Sequence, residues 1–389
     1  MSGVPYVTGS ADWSQGKKSR GYCRIMKASY IAAKLYCHCK LIGMARLCGF
    51  NLGNWYSQSD FTPESSKYYL ERDFKFVSDL GFNFIRLPVD YNFLEVEPYE
   101  YDNARLCMLD RAINWASKYG LYLLLDIHRL PGYAIGRQDY SLWTDQEKIN
   151  RSKNLWRYLA RRYKDYGSEL AFDIINEPSG VDDAALTKFY EEMIDTIREE
   201  DPDRVVFVEG NERNRVYASV PLPVHRKDVV QSFHQYEPLW VTHLGASWAG
   251  LAYNLGLSGE RPDYPGMPNL EELYKQYPND PFMKYRGVYV DKKWLENTMR
   301  PYLDLKQAGE EVHCSEFGVL AKMAKRSTAI NWYRDLLAIL KEHDIGWALW
   351  NLRGGFGILS TGRDEWLTGR SPWGEPMDEG LLRVLIDAL

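Results

Sequence analysis

Two glutamates stand where a carboxyl group could do chemistry. Glu177 follows the run Ile174-Ile175-Asn176 and precedes Pro178, and Glu316 follows Val312–Ser315 and precedes Phe317-Gly318. A carboxyl pair suits cleavage of a glycosidic bond, one member protonating the leaving oxygen while the other attacks the anomeric carbon. A separation of about 5 Å between them gives retention of configuration. Other short apolar runs also end in polar or aromatic residues: Arg86, Asp126-Ile127-His128, His234-Gln235-Tyr236 and Trp350. Singly, each has a plain reading, Arg86 as a surface ion pair or a histidine as a satisfied structural residue. Together they do not, because burying charges is costly unless they are paired or put to use.

The runs that must position these residues number eight: Cys48–Leu52, Phe84–Leu87, Tyr122–Asp126, Ala171–Ile175, Val205–Val208, Val229–Phe233, Val312–Ser315 and Trp347–Trp350. Between them lie stripes at helical spacing, namely Leu70, Phe74 and Val77, then Leu106, Leu109, Ile113 and Ala116, then Leu186, Phe189, Met193 and Ile197. Gly81 and Gly120 follow two of these stripes as C-terminal caps. Short buried strands alternating with helices predict parallel βαβ units, and eight of them predict a (β/α)8 TIM barrel. A dinucleotide-binding sheet is the weaker fit, since Gly49-Phe50-Asn51-Leu52-Gly53 has two glycines at the wrong spacing and no third. The barrel is expected to fill residues 47–389 as one domain. Its active-site face lies at the carboxyl ends of the strands, which places the two glutamates across the barrel mouth from each other. After the sixth run, a connection rich in Trp, Tyr, Pro and Gly carries Trp240, Trp248, Tyr253, Tyr264, Tyr274, Tyr277, Tyr285 and Tyr289. It is too long to be filler and too aromatic to be disordered, and is expected to form a wall of the cleft.

Composition removes other classes of function. With 45% hydrophobic and 26% charged residues, the chain is of the globular type and contains no unbroken apolar run long enough to span a bilayer. A net charge of −5 with mixed signs leaves no basic footprint for nucleic acid. Cys37-His38-Cys39 lacks zinc-ligand spacing and no matching pair follows it, so neither a metal nor another cofactor is expected. Met1–Arg20 is polar, and Ile31–Met44 is interrupted by Lys34, His38 and Lys40. No secretory leader is therefore expected, and a cytoplasmic location is predicted. Residues 1–46 lack clean periodicity and are read as an N-terminal extension, the competing reading being a helix over Lys27–Met44 that plugs the barrel bottom.

The chain resembles glycoside hydrolase family 5, the cellulase family of retaining (β/α)8 enzymes. The resemblance runs from about Leu47 to Leu389 and is carried by Gly49-Phe50-Asn51-Leu52-Gly53, Ile85-Arg86-Leu87-Pro88, Asp126-Ile127-His128, Ile175-Asn176-Glu177-Pro178, Phe233-His234-Gln235-Tyr236, Ser315-Glu316-Phe317-Gly318 and Ala348-Leu349-Trp350-Asn351. It implies that Glu177 is the acid/base and Glu316 the nucleophile, with Asn176 on the sugar 2-hydroxyl. It further implies that Arg86 and Tyr236 bond the nucleophile, that His128 and His234 orient substrate and acid, and that Trp350 floors the −1 subsite. Trp240 and Trp248 are expected to stack on substrate. Arg86 should lower the pKa of Glu316, while a second negative charge and an apolar Trp should raise that of Glu177. The segment Tyr236–His243 looks like the matching stretch of cellulase-type members, which implies a β-1,4-glucan substrate. The alternatives are a β-mannanase, an intracellular exo-β-glycosidase of the same fold or, further off, a non-catalytic carbohydrate-binding barrel.

Overall fold

All eight predicted runs become strands buried almost throughout, as a parallel sheet closed between an inner core and an outer ring of helices requires. They are β1 (Cys48–Asn51), β2 (Phe84–Asp90), β3 (Tyr122–Arg129), β4 (Leu170–Asp173), β5 (Val206–Glu209), β6 (Val229–Gln235), β7 (Val312–Phe317) and β8 (Gly346–Leu349). Each pairs in parallel with the next in sequence, and β8 closes on β1. The fold is the (β/α)8 barrel that the alternation predicts. The computed structural model describes residues 46–389 apart from 63, 136–138, 213–218, 260 and 281–283. Apart from Arg46, the predicted extension and its alternative helix over Lys27–Met44 lie outside the described residues.

The helices are α1 (Glu71–Asp79), α2 (Asn103–Lys118), α3 (Gln146–Tyr163), α4 (Asp183–Arg198), α5 (Lys292–Thr298), α6 (Arg300–Gln307), α7 (Arg326–Glu342) and α8 (Glu379–Asp387). Five of them start on an aspartate, Asp102, Asp145, Asp182, Asp291 and Asp378, whose carboxylate accepts a backbone N–H of the first turn. The predicted stripes of α2 and α4 are buried in full, while that of α1 begins at Phe74 rather than Leu70. Leu70 is the residue before that helix and is half out in water. Gly81 and Gly120 have φ of 90° and 66°, the left-handed cap that a side chain would strain.

Register brings the polar strand ends to one level. Asn51 pairs with Arg86, Asp126 with Asp173, and His234 with Glu316. The pairing of β7 skips Ser315 against both neighbours, since Phe233 faces Cys314 and His234 faces Glu316 on one side while Trp347 faces Cys314 and Leu349 faces Phe317 on the other. Such a bulge re-aims the residue beside it, here Glu316. The Asn51 amide donates to the Ser315 carbonyl at 2.8 Å, pinning the bulge from β1. Lower in the barrel, His313 is packed against Phe84 with a ring nitrogen 3.0 Å from the Leu47 carbonyl. Burial pushes its pKa down to about 3, so it serves as a neutral core residue.

The long connection after β6 is folded, with short helices at Leu239–Thr242, Leu251–Leu257 and Glu271–Gln276. The buried Glu237 carboxylate accepts from Lys284 and from the Tyr285 hydroxyl, and its carbonyl accepts from Trp332 Nε1 of α7 at 2.8 Å. The Tyr264 hydroxyl bonds Asp335 of α7 at 2.9 Å. Much of the aromatic content thus anchors the connection to the barrel: Trp240, Tyr264, Tyr274 and Tyr285 are buried, while Trp248, Tyr277 and Tyr289 are exposed.

Candidate active site

At the carboxyl face six polar side chains converge on Arg86, a residue of β2 with no exposed surface. Its Nε donates to Asp173 at 3.1 Å, Nη1 to Asn51 at 3.2 Å and to Glu316 Oε1, and Nη2 to Asn176 at 3.0 Å and Glu209 at 2.9 Å. Asp126 lies 3.1 Å from Nη2. A guanidinium suits this position because its planar fork can serve several acceptors at once without losing its proton.

Glu316 receives Arg86 on Oε1 and the Tyr236 hydroxyl on Oε2 at 3.0 Å. Glu177 faces it: His234 Nδ1 lies 2.9 Å from Glu177 Oε1 and 3.6 Å from Glu316 Oε2. One oxygen of each glutamate and a ring nitrogen of His234 all fall within 4.8 Å of one another. A divalent ion would find donors there, but one of them is the imidazole of His234, whose neighbours favour its own positive charge. Burial opposes that charge, and the carboxylates of Glu209 and Glu316 with the hydrogen bond to Glu177 overcome it, holding the His234 pKa well above the usual histidine range. His128 behaves alike: burial resists its charge, and Asp126, 2.8 Å from Nδ1, raises its pKa nonetheless.

For Glu316, burial wins. Its pKa is raised: His234 and Arg86 pull it down, as expected of Arg86, but burial outweighs them and Glu177 adds to the rise, so the expected net lowering is corrected. The reason is that Arg86 is shared among several carboxylates and cannot neutralise one fully. Burial and the Glu209 carboxylate push Asp173 well above the carboxylate range.

Trp350 is half-buried at the end of β8, stacked on His128 with ring centroids 5.6 Å apart and planes 11° apart. Gly53 is what gives the indole room, since a Cβ there would lie 2.8 Å from it.

The cellulase model (glycosyl hydrolase family 5) matches residues 46–355. The chain belongs to glycosyl hydrolase family 5. Endoglucanase C of Acetivibrio thermocellus is 33% identical over 318 residues, which span 78% of this chain and 90% of that protein. Cellodextrinase A of Ruminococcus flavefaciens is 27% identical over 306 residues, 76% of this chain and 82% of that protein. A solved glycoside hydrolase superimposes with a TM-score of 0.72 at 28% identity, covering 88% of this chain and 99% of its own.

Of the residues expected in this family 5 site, Arg86, His128, Asn176, Glu177, His234, Tyr236, Glu316 and Trp350 are brought together by the contacts above. Trp240 is not. It is 1% exposed on the Leu239–Thr242 helix of the long connection, so its expected contact with substrate is corrected to a core role. Trp248, 64% exposed, stands with its ring edge-on to His243, which in turn packs against Tyr236.

Several residues escaped the sequence analysis. Glu209 comes directly after the fifth run, for which no polar partner was proposed, and Glu212 lies three residues further on. Asp173 sits within an apolar run where an acid is itself a signal, and Asn51 lies inside the glycine motif of β1. Glu212 is buried, and burial with the nearby Glu177 carboxylate holds its carboxyl well above the ordinary range. Backbone geometry was not legible at all. Glu177 has φ of 47°, a left-handed conformation that is rare for a glutamate. Three contacts hold it: its N–H donates to Glu209 at 2.7 Å, its carbonyl accepts from the Tyr133 hydroxyl, and Glu212 N–H donates to the Pro178 carbonyl at 2.7 Å.

Proposed function

We propose that the chain hydrolyses β-1,4-linked glucans or gluco-oligosaccharides with retention of configuration, Glu316 acting as nucleophile and Glu177 as acid/base. The observation that carries this reading is the approach of the two carboxyl groups to within 4.8 Å at the mouth of the barrel, a spacing for direct attack rather than for an intervening water. In the first step a Glu316 oxygen bonds to the anomeric carbon while a proton moves from Glu177 to the departing glycosidic oxygen. His234 Nδ1–H occupies Glu177 Oε1, so the transferable proton sits on Oε2. In the second step water attacks the anomeric carbon, its proton passes to Glu177, and the Glu316 carboxylate leaves. Trp350 offers an apolar face to the sugar held between the two acids, and the glucan specificity follows the endoglucanase relative.

The test is a panel of β-glucan, glucomannan, mannan and aryl β-glycosides, with product anomers followed by NMR. β-1,4-Glucan turnover with β-configured first products is expected. A preference for mannan would overturn the substrate, and α-configured first products would overturn the mechanism.

The two tryptophans should separate. Trp240→Ala is expected to cost about 3–5 kcal/mol of stability by opening a cavity, read as a lowered melting temperature. Trp248→Ala should leave the melt unchanged and raise KM for long substrates more than it lowers kcat on a short aryl glycoside, because stacking is shared by ground and transition states.

The pH profile carries the sign of the Glu316 shift. The nucleophile works ionised, so activity falls as pH drops through its raised pKa, and the acid limb of kcat/KM is expected above the ordinary glutamate value of about 4.3. Tyr236→Phe removes a donor to the charged form and should move that limb upward by about one pH unit. An unmoved limb would assign it to another group.

A further inference from the structure

We propose that Glu209, at the end of β5, is the positioning residue that sets both the placement of Glu177 and the protonation of His234. The inference rests on the reading of Glu177 as acid/base. Its basis is geometric. The two oxygens of one buried carboxylate are split between two tasks. Oε2 accepts the backbone N–H of Glu177 at 2.7 Å, and Oε1 takes Arg86 Nη2 at 2.9 Å and lies 3.1 Å from His234 Nε2. The contact to Nε2 lies off the line of the ring N–H, so it acts chiefly as a charge and not as a strong hydrogen bond. No other carboxylate among the described residues is shown touching the Glu177 backbone, His234 and Arg86 together.

An anion beside Nε2 favours the imidazolium, whose other N–H then points from Nδ1 to Glu177 Oε1. That bond keeps the acid proton off Oε1. The same anion, through Oε2, holds the left-handed backbone of Glu177 that presents its carboxyl toward Glu316. The charged and titratable groups facing His234 are Glu177, Glu209 and Glu316 in contact, with Asp173, Glu212 and Arg86 behind them. Glu209 itself stays ionised to about pH 2: burial resists its charge, and His234, then Arg86, outweigh that resistance.

The test uses the whole chain with ring-15N histidine, His234 being assigned by the resonance lost in His234→Asn. In the native protein the imidazole should remain doubly protonated through neutral pH. In Glu209→Gln its titration should move down by about one pH unit or more, the negative charge being gone. On a phenyl β-glycoside, which needs the acid proton, kcat/KM should fall by about thirtyfold, against less than about threefold on a dinitrophenyl β-glycoside, which does not. Glu209→Asp keeps the charge but is one methylene shorter. It should keep His234 cationic while still losing rate on the phenyl substrate, and it carries the test if the Gln variant does not fold. An unmoved His234 titration in Glu209→Gln, or a neutral His234 in Glu209→Asp, overturns the proposal. Glu177→Ala is run beside them: equal losses on both substrates there would overturn the role of Glu177, leaving the link between Glu209 and His234 to be judged by the titration alone.

Discussion

Replacing Glu316 with alanine is expected to lower hydrolysis of every β-glycoside by about four orders of magnitude or more, whatever the leaving group, because the covalent step is lost. Leaving-group independence is the diagnostic part. A residue that merely bound substrate would be partly bypassed by an activated glycoside, whereas a missing nucleophile is not. The variant should still fold, since Arg86 keeps Asp126, Asp173 and Glu209 and His234 keeps Glu177 and Glu209 as partners. Azide added to this variant enters from the vacated side and should yield an α-glycosyl azide from a β-fluoride donor. A near-native rate on a dinitrophenyl glycoside, with an unchanged melting curve, would remove Glu316 from the chemistry.

Glu177→Ala should fail in a different way. A dinitrophenyl β-glycoside needs no proton on its leaving group, so glycosylation of Glu316 should proceed and appear as a burst of phenolate. Turnover should then stall because no base activates water, and the glycosyl-enzyme should accumulate to a mass detectable on the intact chain. Unactivated oligosaccharides, which need both functions, should lose about two to four orders of magnitude. Azide needs no deprotonation and should restore turnover, giving a β-glycosyl azide. Two inversions give the β product, so an α-azide from this variant would exchange the roles of the two glutamates.

The two glutamates, the arginine and the histidines were legible in the sequence because each stands at or just past an apolar run, and a closed parallel barrel gathers such positions on one face. Trp240 and Trp248 show where that reading stops. Eight residues apart in one aromatic segment, they are alike in type, yet the folding of the connection, anchored at Glu237 by Lys284, Tyr285 and Trp332, buries the first and leaves the second exposed. Glu209 was passed over for a related reason. Its side chain matters through the backbone of Glu177 and a ring nitrogen of His234, partners 32 and 25 residues away on neighbouring strands.

What the sequence determined by itself is the barrel and the glutamates, arginine and histidines of its mouth, because burial periodicity and capping glycines are local properties that survive in one dimension. The charge state of the mouth was decided only in three dimensions. Arg86 was expected to lower the Glu316 pKa, yet it is divided among Asp126, Asp173, Glu209 and Glu316, and burial tips the balance upward. The bulge at Ser315 that aims Glu316 and the left-handed turn at Glu177 likewise exist only through contacts made across strands. A pKa or a strained backbone depends on every neighbour within a few ångströms, and those neighbours come from all round the barrel.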